Sequence, residues 1–326
     1  MRQATNRETI IGRVYQHELT IKQVKNEQSA NFGKDFISGK LEVAVDEEGL
    51  NVIPVHYTYV TATTKAGGEN RTFTALKKII DGGKTWVADG KDAAMMIQLS
   101  PALDLNDFYT KGDGDEDVLV SVKKNEGGFA ELVSVLPESI NDRTRFEVDM
   151  FITNVTEVEA NEEKHIDEHV VLRGAIFDFR GAIKPLDFVV KNEQGMKYFL
   201  EQDITPQEPV YTKVWGNIDC TVRVETVTEE SAFGEAAVRE VRRGRKEWVV
   251  TGTAKVPYDF GDEQVLTAEE VQQKMQERQV YLADQKKQRE EWLAKQNQGG
   301  NGNAFNAGPA PSAAAAAPAT AGGFTF

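Results

Sequence analysis

The sequence holds one cysteine, Cys220, and four histidines in 326 residues. A lone thiol makes no internal disulfide and anchors no zinc cluster, so nothing calls for an oxidising compartment. Long apolar runs are missing as well; none nears the ~18 residues of a membrane-spanning helix. The opening residues, Met1-Arg2-Gln3-Ala4-Thr5-Asn6-Arg7-Glu8, lack the apolar core of a secretory signal. The expected address is a reducing cytoplasm. Positive charge is scarce: 38 Lys and Arg stand against 52 Asp and Glu, a formal charge of −14. That balance argues against coating nucleic acid through net charge alone. It leaves room for a local basic face.

Catalytic and metal motifs are wanting too. Asp81-Gly82-Gly83-Lys84-Thr85 ends like a phosphate loop, but Lys78 stands where its first glycine belongs, and no strand-then-helix setting is evident. A hairpin turn is expected there. His165 and His169 are spaced for one helix face, yet Ile166 replaces the glutamate of the metalloprotease order. Asp113-Gly114-Asp115-Glu116-Asp117 begins like a calcium loop, but its sixth position is Val118 and its twelfth is Lys124. Both read as solvated loops. No nucleophile–histidine set stands out, and Cys220 falls on an inferred apolar face that suits an inert thiol. No cofactor, no metal and no enzymatic activity are expected.

What the chain does contain is alternation. Ile37, Gly39, Leu41, Val43 and Val45 alternate with polar neighbours, and Glu47-Glu48-Gly49 marks a turn. A second run follows, with Ile53, Val55, Tyr57 and Tyr59 on one face, so the two make a β-hairpin. Residues 118–122 and 128–135 read as another strand pair, joined by 123–127. Pro137 ends that pair, and the polar stretch after it places a boundary near Asn141. Further strands are expected from Arg145 with Phe146, Val148, Met150 and Ile152, over 170–179, over 214–224 and over 248–256. In the run 214–224, Val214, Gly216, Ile218, Cys220, Val222 and Val224 share one face, and Trp215 and Arg223 the other. Thr267-Ala268-Glu269-Glu270 is a capping box opening a helix to about Gln296. From Asn297 onward no residue is charged, and Gly, Asn, Ala and Pro dominate, a composition that predicts disorder. The plan is a β domain over 1–140, a second over 141–262, a helix over 263–296 and a tail over 297–326. The tail's Phe324 and Phe326 are candidate partner contacts.

Basic and aromatic residues are interleaved. Arg239, Arg242, Arg243, Arg245 and Lys246 reverse the sign of the chain just before Trp248. Lys213, Trp215 and Arg223 precede them. In the first block, Tyr57 and Tyr59 are followed by Arg71, Phe73, Lys77, Lys78, Lys84 and Trp86. Cations that track phosphates, beside flat rings on which bases stack, are what single-strand binding requires. The candidate stacking residues are Tyr57, Tyr59, Phe73, Trp86, Trp215 and Trp248. The candidate phosphate contacts are Arg71, Lys77, Lys78, Lys213, Arg223, Arg242, Arg243, Arg245 and Lys246.

The segments Ile11-Gly12-Arg13-Val14, Phe36-Ile37-Ser38-Gly39-Lys40-Leu41-Glu42-Val43-Ala44 and Val171-Leu172-Arg173-Gly174-Ala175-Ile176, with a tail ending in Phe326, resemble bacteriophage single-stranded DNA-binding proteins built on OB folds. The resemblance implies a mainly β chain of two OB-like barrels, with single-stranded DNA as the partner. It also implies service in replication or recombination, in the host cytoplasm, with tail contacts to other replication proteins. The tail departs from that family in being uncharged. The competing reading is a β-rich structural or assembly protein of a virion, which binds no nucleic acid.

Overall fold

The computed structural model describes residues 4–112, 116–161, 166–229, 237–262 and 265–298; side chains at 223–229, 237–243 and 295–298 are not described. The chain is mainly β with a long C-terminal helix. The strand β1 (Asn6–His17) opens it, and a short β2 (Thr20–Gln23) lies before β3 (Asp35–Ala44) and β4 (Val52–Thr61). These last two form the expected antiparallel hairpin. Ile37, Leu41, Val43, Val45, Ile53 and Val55 are all fully buried, as alternation demands.

Two helices follow where strands and a hairpin turn were expected. Asn70 caps α1 (Arg71–Ile80), its side chain accepting from the Thr72 amide. Phe73, Leu76 and Ile79 recur at helical spacing and are buried. Gly82 and Gly83 follow the end of α1 rather than joining strands. Thr85 caps a single turn, α2 (Trp86–Asp89). A helix, not a strand, thus precedes Gly83-Lys84-Thr85, which disposes of a phosphate loop.

The expected strand pair over 118–135 is a correction. Residues 117–132 form one long strand, β6 (Asp117–Leu132), paired along its length with β5 (Met96–Lys111). Gly127 and Gly128 carry φ of 63° and 84° inside β6. They form a bulge there rather than a loop end, since the register slips between Ser100 and Ala102 opposite them.

After the turn α3 (Ile140–Arg143) comes β7 (Thr144–Val158), then β8 (His169–Phe177) and β9 (Ile183–Val190). The helix α4 (Glu193–Leu200) is capped by Asn192. The run 214–224 is two strands: β10 (Val210–Asp219) ends within the main sheet, and β11 (Val222–Glu229) begins a separate ribbon with β12 (Ala237–Gly244). Val222 is accordingly exposed, whereas Val214, Ile218 and Cys220 are buried. The chain then forms β13 (Glu247–Thr253) and α5 (Ala268–Gln298). Thr267 and Glu270 exchange the two bonds of a capping box, at 3.2 and 2.8 Å.

The pairings close in two circuits. In the first, β1 pairs with β3, β3 with β4, β4 with β6 in parallel, β6 with β5, and β5 with β1. In the second, β7, β8, β9, β13 and β10 repeat that order, again with one parallel step, β9 to β13. Each circuit carries a helix of two turns or more, α1 or α4, between its third and fourth strands in chain order. The second strand of each passes tightly over a neighbour at a glycine. A Cβ at Gly39 would stand 2.2 Å from the Glu18 carbonyl, and one at Gly174 2.0 Å from that of Phe151. β1 also pairs with β7, joining both circuits in one sheet.

Candidate nucleic-acid interface

The outward face of β3 and β4 carries a ring pair. The register slips between Ile37↔Val60 and Gly39↔Tyr57, and a one-residue slip reverses the side-chain faces beyond it. Tyr57 therefore points into the core and is 2% exposed, while Tyr59 points out and is 46% exposed. Val60, not Tyr59, packs against the core. Tyr59 lies against Phe36 with ring centroids 4.7 Å apart. Asn31 donates to the Tyr59 hydroxyl at 3.3 Å, and Lys34 donates to Asn31 at 3.2 Å. Lys22 sits opposite Phe36 on β2.

Farther along β4 the face carries paired charges. Lys40 and His56 are direct partners across the ladder. Lys40 is held by Glu42 at 2.9 Å and Glu18 at 3.3 Å, and Lys124 of β6 by Glu126 at 2.9 Å. Partial burial pushes the His56 imidazole below its ordinary value; Glu126 opposes this, and Lys246, Lys124 and Lys40 add to it. Lys246 is exposed as a residue, yet its ammonium turns back to donate to the Lys123 carbonyl at 2.6 Å. Burial of that ammonium lowers its pKa. Burial likewise brings Lys123 down to about 8, against Asp187 and Glu247.

The basic ribbon starts beside this face. Its stem is tied to the first circuit: the Val222 amide donates to the Leu50 carbonyl at 2.9 Å, and the Cys220 amide to Asn51 Oδ1 at 3.0 Å. Arg239, Arg242 and Arg243 lie on β12, paired with Val227, Val224 and Arg223 of β11. The side chains of these four arginines lie outside the described residues. Arg245, at the ribbon's foot, meets Asp167 at 3.4 Å and Glu247 at 3.7 Å. From Tyr59 back to Asn51 along β4 is about 26 Å at 3.3 Å per residue. Rings at one end and the ribbon at the other bracket two lysines, Lys40 and Lys124, each paired with carboxylates, and the His56 imidazole, whose protonated form is disfavoured.

Three expected stacking residues are corrected. Tyr57, Phe73 and Trp248 are 2%, 8% and 1% exposed and belong to the core. Trp248 Nε1 donates at 2.7 Å to Glu8, and the Cys220 thiol is close enough for that carboxyl to bear on its titration. Burial drives the Glu8 carboxyl up to about 8, against the Trp248 hydrogen bond and the Lys246 charge. Trp86 is half-buried beside Tyr15, with Lys91 over its ring.

Other expected residues are placed elsewhere. Arg71, Lys77 and Lys78 lie on the exposed side of α1, where Lys77 pairs with Asp81; Lys84 is exposed after that helix. Trp215 is 37% exposed on the outer side of β10. Lys213 reaches Glu147 at 2.6 Å, and Arg7 reaches it at 2.9 Å, so these cations hold that carboxyl below its usual range. This group sits on different strands from Phe36 and Tyr59. Phe324 and Phe326, with His165, lie outside the described residues. Phe36, Lys40, His56 and Lys124 were not anticipated as site residues. Phe36 and Lys40 had a signal: both fall on the outward parity of the strand bearing Gly39.

Among the described residues, no group of three or more His, Cys, Asp or Glu side chains is placed to hold a metal ion. No described helix is long and apolar enough to cross a membrane. The family model described as YorF matches residues 7–288. The chain belongs to the YorF family. No curated protein matches this YorF family member. Among solved structures it is similar to a deletion mutant of the single-stranded DNA binding protein from Thermus aquaticus, at 11% identity and a TM-score of 0.43, over 81% of this chain and 100% of that one. A likeness of that degree leaves any functional reading to rest on the geometry above.

Proposed function

We propose that this YorF family member is a non-catalytic, sequence-tolerant single-stranded DNA-binding protein serving replication or recombination. Each pairing circuit is read as an OB-like barrel, the two forming tandem units. In that architecture the second and third strands, with the loop joining the fourth to the fifth, contact oligonucleotides. One observation carries the reading: the exposed Tyr59 ring, set against a half-buried Phe36, lies with it on the second and third strands of the first unit, and β4 leads from it past Lys40, His56 and Lys124 to a basic ribbon. That ribbon is the fourth-to-fifth connection of the second unit. Bases would stack on the rings while the cations track phosphates. Carboxylates at Glu18, Glu42 and Glu126 pair with Lys40 and Lys124 in the free protein, so phosphates would have to displace them.

The test is fluorescence anisotropy of labelled oligo-dT with the full chain at low and high salt. Saturable binding that weakens with salt is expected. No anisotropy rise at low salt would overturn the reading in favour of a structural assembly protein. The triple variant Arg242→Ala, Arg243→Ala, Arg245→Ala should lower the slope of log affinity against log salt by about 2, since each phosphate left without its cation takes away roughly 0.7. An unchanged slope removes the ribbon from the DNA interface.

A further inference from the structure

The two units are alike in topology but not in what lies on the equivalent face. This inference rests on the reading above and narrows it. In the first unit, the outward side of β3 and β4 is open. In the second, the equivalent strands are β8 and β9. Their outward residues Ala175, Phe177 and Ile183 join Phe151 and Tyr211 in a separate buried cluster. Val265, Leu266 and Val271, from the start of α5 and the segment before it, complete that cluster. Met275, one turn later, packs against it too.

The roofing is continuous. Lys274 donates to the Gly181 carbonyl at 2.9 Å, fastening α5 over the turn between β8 and β9. Farther on, Arg278 meets Asp107 at 2.7 Å, with both side chains about nine-tenths buried. Tyr109 donates to the Leu282 carbonyl at 3.2 Å. The helix is thus pinned to the second unit and to the long β5–β6 hairpin of the first. A cavity of about 540 Å³ remains beneath it. Its floor includes Gly174 and Pro185 and its rim Gln272, Gln276 and Gln279; Glu269 is its one charged lining residue among those described. A lining with no cation and no exposed ring offers nothing to a polyanion.

We infer that the chain has a single composite track for single-stranded DNA. The first unit supplies the open β3–β4 face, the second contributes its basic ribbon, and α5 occupies the face the second unit would otherwise present. The second unit acts as a ribbon holder and an anchor for α5, not as a second binding module.

The experiment is a dT length series with the full chain, joined to amide hydrogen exchange with and without saturating oligo-dT. Affinity should plateau once the oligonucleotide covers one unit's site, within the range of about 4–16 nucleotides, with no second rise on lengthening. Exchange should slow at residues 36–41, 54–61 and around the ribbon, and stay unchanged over 171–189. A second rise in affinity on lengthening past the first plateau, or slowed exchange over 171–189, overturns the inference and leaves single-strand binding intact. No binding of any length overturns the underlying reading instead.

Discussion

The double variant Phe36→Ala, Tyr59→Ala should bind oligo-dT at least about thirtyfold more weakly than the unmodified chain, and up to roughly ten-thousandfold if both rings stack fully. Stacking a base on an aromatic side chain is worth roughly 1–3 kcal/mol, and two rings stand on this face. The loss should be as large at high salt as at low, because the rings carry no charge; the ribbon arginines behave the opposite way. Stability should fall only modestly, since Tyr59 is half out of the protein and Phe36 is only half-buried. Anisotropy titrations at two salt concentrations, with urea melts as control, decide the matter. A double variant that folds and binds like its parent would take the rings out of the site.

Trp248→Ala should cost about 3–5 kcal/mol of stability, the usual range for deleting a buried large aromatic side chain. The same change strips Glu8 Oε1 of its donor, leaving a buried carboxyl whose other oxygen already has no hydrogen-bond partner. A second consequence concerns pH. With a folded-state pKa near 8 against 4.5 for the ordinary group, Glu8 keeps its proton in the native state after the unfolded chain has lost its own. Stability is then fullest below about pH 4.5, falls as pH rises toward 8 by up to about 1.4 kcal/mol per unit, and levels off above. Glu8→Gln, which mimics the neutral carboxyl, should remove that slope and leave the variant more stable than its parent at pH 8. Urea midpoints at pH 5, 6.5 and 8 test this. A parent protein with no decline across that interval would mean Glu8 is not protonated in the fold.

Where sequence and structure agree, one physical signal acts alone. The β3–β4 hairpin, the buried side of β10 and the capping box of α5 follow from strict period-2 alternation or from a cap that works through local hydrogen bonds. The failures have particular causes. The helix α1 is ten residues long, its apolar positions overlap a stretch of cations, and Asn70 was the overlooked start signal. Gly127 and Gly128 look like a loop but form a bulge within a strand. The same kind of irregularity separated Tyr57 from Tyr59, which alternation had placed together. Trp248 shows the limit most plainly. Its basic neighbours suggested exposure, yet Lys246 folds its ammonium back over the ring, 5.8 Å from the centroid, and Glu8 arrives from the other end of the chain. No local pattern reports a partner 240 residues away.

The strand β1 ties the two circuits together: its second half serves β3 and β5 of the first, while Asn6–Ile10 pairs with Thr144–Val148 of β7 in the second. The units are therefore not portable cassettes. A fragment cut near residue 141 would leave one flank of Thr144–Val148 with unpaired amides and carbonyls, the kind of raw edge that recruits another chain. Any transplant of the second unit has to bring residues 6–10 along. The linking strand also works as a strut between the units, so any single strand bound across rings and ribbon would meet a spacing set by the protein's skeleton and not by the slack of a linker.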